Sequence, residues 1–170
     1  MRSKLILPAL LLSTLVTPAM AHVVVANPQA KAGSTFIAGF RVGHGCAGSP
    51  TTTITVTVPE SIITARPQPK AGWTLSMTRA KLATPVAGEG GPITERVSSI
   101  SWSGGPLPAD QYDEFVVMLR LPDTAGTLNF PVLQSCQKGA ENWAELPDAS
   151  GKRPAHPAAS LTVTAKDATP

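Results

Sequence analysis

The chain has 170 residues, with 14 lysines and arginines against 11 acidic groups for a formal net charge of +3, and it is 42% hydrophobic but only 5% aromatic. That length suits one domain with its own core, and so slight a basic excess with so few aromatics leaves no basic stripe for nucleic acid to bind. Arg2 and Lys4 supply most of the excess, so it belongs to the amino terminus and not to the body of the protein.

Residues 1–21 read as a secretory signal peptide. Arg2 and Lys4 precede an apolar run over 5–16 that is too short to span a bilayer, and the small residues Ala19 and Ala21 place the cut after Ala21. The mature chain would then hold a domain over 22–166 and a short tail over 167–170, without a membrane span, in the periplasm or outside the cell. Its first residue would be His22. An amino-terminal histidine offers two nitrogens, the free α-amine and the ring Nδ1, spaced to close a chelate on one metal ion. Nitrogen donors in that arrangement suit Cu(II), and an α-amine of ordinary pKa near ~8 loses its proton to a metal at little cost.

In chain order the rest reads as strands and turns. Val23, Val24 and Val25 make a short strand over 22–26 that Asn27-Pro28 ends, and 29–33 is a turn-rich link. Residues 34–42 alternate, with Phe36, Ala38, Phe40 and Val42 on one face. A glycine-rich loop over 43–50 carries His44 and Cys46, and 51–58 is a strand that Pro59 stops. A short strand is expected over 61–65, then a turn at Pro67, Pro69 and Gly72 before a strand over 73–77. Residues 79–95 have weak pattern and read as a poorly defined hairpin or loop. Strand character returns over 96–102 and breaks at Gly104-Gly105-Pro106.

The strongest strand signal lies over 113–121, with Phe115, Val117 and Leu119 on one face. One strand is expected over 127–135, delivering Cys136, and another over 141–146, where Glu141, Trp143 and Glu145 would share a face. Residues 148–157 are polar and proline-bearing, and 160–165 closes the domain. Roughly eight to ten short strands with regular turn signals and no amphipathic helix predict an immunoglobulin-like β-sandwich.

Cys46 and Cys136 are expected to form a disulfide in an oxidising compartment, worth roughly 4 to 5 kcal/mol in the chain-entropy model. The competing arrangement is a thiolate metal site with His44 beside Cys46. His44 otherwise reads as a loop histidine that caps backbone groups, His156 as a surface turn residue, and Trp73 and Trp102 as core aromatics. Met77 and Met118 lie too far apart in sequence to suggest a thioether site for Cu(I). No Gly-x-Ser-x-Gly elbow and no phosphate-cradling glycine loop occurs, so the chain is not expected to be an enzyme, and no catalytic residue is assigned.

Several spaced motifs carry a resemblance. His22 followed by valine, Ala32-Gly33-Ser34, Arg41-Val42-Gly43-His44-Gly45-Cys46, Gly72-Trp73-Thr74, Trp102-Ser103-Gly104-Gly105 and Tyr112-Asp113-Glu114-Phe115 come in that order. Pro131-Val132-Leu133-Gln134-Ser135-Cys136-Gln137-Lys138-Gly139 and Trp143-Ala144-Glu145-Leu146-Pro147 follow. Together they resemble the YcnI-like family of secreted bacterial proteins over nearly all of the mature chain.

The resemblance implies a β-sandwich that binds Cu(II) through a single-histidine brace and is often encoded with other copper-handling proteins, so that a periplasmic copper chaperone or transporter is a candidate partner. The brace maps to His22, and the tryptophan near the metal maps to Trp143. A glutamate completes the set; Glu145 is favoured, with Glu141, Glu114 and Glu95 open. Three functions compete: a copper-binding protein of trafficking or homeostasis, a histidine-brace oxidase, and a metal-free partner-binding module.

Overall fold

A computed structural model describes residues 22–152 and 154–166. The expected signal peptide over 1–21 and the tail over 167–170 lie outside these. Twelve strands occur among the described residues: β1 (Val24–Val25), β2 (Gln29–Lys31), β3 (Thr35–Val42), β4 (Thr51–Thr57), β5 (Ala65–Pro67), β6 (Trp73–Val86), β7 (Ile93–Leu107), β8 (Asp113–Arg120), β9 (Gly126–Phe130), β10 (Val132–Cys136), β11 (Ala140–Trp143) and β12 (Ala159–Thr164).

They form a sheet in the order β1-β3-β8-β5, a second in the order β11-β10-β4-β7-β6, and a three-stranded sheet β2-β12-β9. Among the described strands, only β2 and β12 pair in parallel. The alternation read from the sequence is what the core uses. Ala38, Phe40 and Val42 of β3, Ile54 and Val56 of β4, and Phe115, Val117 and Leu119 of β8 are all buried. Burial of the larger of these side chains, from valine to phenylalanine, contributes roughly 1.5 to 3 kcal/mol each.

Aromatic rings join the layers. Phe115 of β8 stands between Trp73 of β6 at 4.9 Å and Trp102 of β7 at 5.5 Å, centroid to centroid. Phe40 of β3 meets Phe130 of β9 at 5.3 Å. Thus Trp102 is the core aromatic expected, Trp73 is half-buried and packs against the core from its edge, and the architecture is the immunoglobulin-like β-sandwich.

Local departures have local causes. The link over 29–33 contains β2, whose pattern is mute because its hydrogen bonds come from β12 at the far end of the chain. The short strand expected over 61–65 begins at Ala65 and runs to Pro67 as β5, paired with β8. The ill-defined stretch over 79–95 belongs to a long β6–β7 ribbon, where each strand satisfies the other's backbone and little side-chain burial is required. Gly104-Gly105-Pro106 does not end β7, which continues to Leu107. A Cβ at Gly105 would lie 2.6 Å from Trp73 Cζ2, so glycine lets the strand pass beneath the indole.

The single strand expected over 127–135 is two. Pro131 cannot donate to a ladder, and there the chain leaves the β12 pairing of β9 for the β4 pairing of β10. The strand over 141–146 stops at Trp143.

Cys46 and Cys136 form a disulfide with Cα atoms 6.0 Å apart. No described cysteine is free, which removes the thiolate metal site considered beside His44.

Candidate functional site: three imidazoles around Trp143

β10 and β11 pair antiparallel with Val132 opposite Trp143 and Gln134 opposite Glu141. Residues facing each other in such a pair project to the same side, so these four share a face. Val132, Gln134 and Trp143 are buried there, and Glu141 is half-buried. The Trp143 indole Nε1–H donates to Gln134 Oε1 at 3.0 Å. The Gln134 amide in turn donates to the His44 carbonyl at 2.6 Å and to Thr51 Oγ1 at 2.8 Å.

All three histidines among the described residues pack on this indole. The His22 and His44 rings meet it edge-on at 5.6 and 6.0 Å, and the His156 ring lies tilted to it at 5.3 Å. Val23 and Val25, both buried, seat the segment that carries His22, while Val24 pairs with Arg41 of β3. His22 Nε2 is buried and has no hydrogen-bond partner. A buried ring nitrogen without a partner is costly.

Two carboxylates flank the rings. Glu141, on Trp143's face of β11, lies with Oε2 3.3 Å from His156 Nε2. Glu145 falls beyond the strand, in an isolated bridge with Pro157, and its Oε2 accepts the His156 backbone N–H at 2.9 Å. Backbone bonds from Glu145 to His156 and from Ala158 to Glu145 close the same clamp. The face shared by Glu141, Trp143 and Glu145 in a continuous strand therefore holds for the first two. Glu145 instead shares with His22 the lining of a cleft of about 650 Å³, together with Val24, Leu146 and Pro157.

Glu114 is held by Arg41, whose Nη2 lies 2.6 Å from Oε1. Glu95 stands opposite Lys81 on the β6–β7 ribbon. In the loop that leads to His156, the Ser150 hydroxyl and backbone N–H bonded to the Asp148 carboxylate hold its pKa below the ordinary value of 3.8.

Among the described residues, no three His, Cys, Asp or Glu side chains form a group able to hold a metal ion. No helix there is long and apolar enough to cross a membrane. The sequence reading brought forward His22, Trp143 and Glu145, and the structure gathers them with Glu141. It missed two members. His156 sits in a turn as expected, yet its ring lies on Trp143. Gln134 was passed over, although an amide on the inward face of an apolar strand must find buried partners.

Comparisons with known proteins follow the same line. Residues 22–163 match a family model described as "Domain of unknown function (DUF1775)". No curated protein matches the chain. Among solved structures, an uncharacterized protein from Nocardia farcinica, reported to have an immunoglobulin-like fold, is similar with a TM-score of 0.65 and 29% identity. The likeness covers 85% of this chain and 99% of that one.

Proposed function

This chain belongs to the DUF1775 family, which is the YcnI-like family, and from that premise we propose that it binds Cu(II) as cargo, in copper trafficking or homeostasis outside the cytoplasm. The observation that carries the reading is His22: its imidazole rests on Trp143 with Nε2 buried and unpartnered, at a cleft with a carboxylate in its wall.

The donor set fits a brace. Side chains alone do not make a three-donor group among the described residues. Cleavage after Ala21 would add a donor that is not a side chain, the α-amine of His22. With Nε2 turned into the protein, Nδ1 is the ring nitrogen left to chelate beside that amine. Two nitrogens and a carboxylate are hard enough donors, in a suitable number, to favour Cu(II) over Cu(I). Reduction by a partner, a periplasmic copper chaperone or transporter, would then promote release.

The carboxylate is one of two. Glu145 lines the cleft with His22, but one of its oxygens is committed to a backbone N–H. Glu141 shares the face of Trp143, and its Oε2 lies against the His156 ring nitrogen, a partner that a metal could replace. We place Glu141 first as ligand and Glu145 second. Trp143 walls the site and excludes water from one side.

The test is intact mass of the secreted protein, then Cu(II) titration followed by electron paramagnetic resonance. A chain starting at His22 that takes one equivalent with a nitrogen-rich tetragonal spectrum supports the brace. His22→Ala should lose tight binding and keep the fold; one-to-one binding of unchanged affinity by that variant would refute it.

A second reading gains from the ring cluster. A histidine-brace oxidase needs another imidazole at the metal, and His44 and His156 both pack on the indole that His22 touches. Copper-dependent peroxide formation driven by ascorbate would favour it. A copper-loaded protein inert to ascorbate and oxygen is a carrier, the function we propose.

A further inference from the structure

We propose that Gln134 is a positioning residue for the copper site: it fixes the Trp143 indole to the disulfide-bound loop over 43–50, and so fixes the wall against which His22 packs. The inference rests on the copper reading for its function and on a separate set of contacts for its geometry.

Gln134 is only 1% exposed, in the middle of β10. A buried primary amide has two donors and an acceptor to satisfy, and failure costs more than the hydrogen bonds return. Here they are spent on three different segments. Oε1 accepts from Trp143 Nε1 at the end of β11. Nε2 donates to the His44 carbonyl in the loop and to Thr51 Oγ1 at the start of β4. The orientation of the amide is thereby determined, because exchanging its O and N would set the indole N–H against an NH2 and the His44 carbonyl against an oxygen.

The loop it reaches is itself tethered. Cys46, two residues after His44, is bonded to Cys136, two residues after Gln134. A Cβ at Gly45 would run into the Ser49 carbonyl, so the loop closes on itself as tightly as glycine allows. Indole rotation would therefore break a bond to a rigid support. A ring held at one angle gives His22 one seat, and a preorganised seat improves metal affinity by removing the cost of ordering it on binding.

A residue needed only for folding would act on stability alone. Gln134→Met, similar in length but apolar, should weaken Cu(II) binding about three- to tenfold, the loss of roughly one hydrogen bond's worth of preorganisation. It should also expose the Trp143 indole N–H to solvent exchange, read from its proton–nitrogen NMR signal in metal-free protein. Thr51→Val removes one acceptor of the same amide but leaves its bonds to the indole and to the His44 carbonyl, so it should weaken affinity and speed indole exchange less than Gln134→Met does; an equal or larger effect would overturn the role given to the indole bond.

In the Trp143→Phe background, which has no indole N–H, adding Gln134→Met should change affinity no further. If Gln134→Met fails to fold, Gln134→Asn serves: one methylene shorter, it cannot reach the indole and the loop together. Unchanged indole exchange and an unchanged copper spectrum in the folded variant would overturn the inference. Wild-type protein that takes no copper would instead overturn the proposed function, and the metal-free indole exchange would still decide the part played by Gln134.

Discussion

Removing the disulfide is the perturbation whose magnitude the structure defines best. Cys46 and Cys136 are 90 residues apart in sequence. The chain-entropy relation for a loop of that size gives about 4.6 kcal/mol at 25 °C, lost by the unfolded chain's greater freedom when the link is cut. The native side adds to this: Cys46 is 3% exposed, so alanine leaves a small void, and the Cys46 N–H loses its contact with Cys136 Sγ at 3.0 Å.

For a domain of this size, that loss corresponds to a fall in Tm of about 10 to 18 °C. The assay is urea unfolding of Cys46→Ala/Cys136→Ala beside wild type, followed by tryptophan fluorescence. A loss below about 1 kcal/mol would refute the loop-entropy argument. It would mean that β4, β10 and the Gln134 bonds hold the two ends together without the covalent link.

Other outcomes follow from single contacts. Phe115→Ala should cost about 3 to 5 kcal/mol in the same assay, since its ring is fully buried between Trp73 and Trp102. Glu141→Gln should change the Cu(II) spectrum and weaken binding, whereas Glu145→Gln should leave the spectrum in place; the reverse pattern would move the ligand to Glu145. The Asp148 carboxyl, observed by NMR, should titrate below 3.8, because Ser150 bonds its charged form. A depressed folded pKa means that its contribution is complete above the unfolded value and disappears as pH falls through the folded one. Asp148 should therefore add no pH dependence to stability between neutrality and about pH 5.

The sandwich was legible because one side of most strands is buried, and burial writes itself as alternation: Phe36 to Val42, Ile54 to Val58 and Phe115 to Leu119 could be read directly. Where a strand is stabilised by backbone pairing alone the signal fails. β2 depends on β12 and read as a link, and the outer half of the β6–β7 ribbon buries little, so its hairpin could not be told from a loop. Pro131 stood in plain view, but that it changes the partner strand depends on which sheets lie on either side.

The site divides along the same line. The sequence by itself determined the chemistry on offer: a histidine placed to become the first residue, two cysteines able to pair, and carboxylates two residues either side of a tryptophan. These are properties of residue type and local spacing. Only the tertiary structure decided which groups meet. It ended β11 at Trp143, turning Glu145 away from the face that Glu141 keeps, and it brought His44 and His156, distant in sequence, onto the ring that His22 touches. It also gave Gln134 partners from three segments, since a buried amide's bonds are set by whatever the fold packs against it.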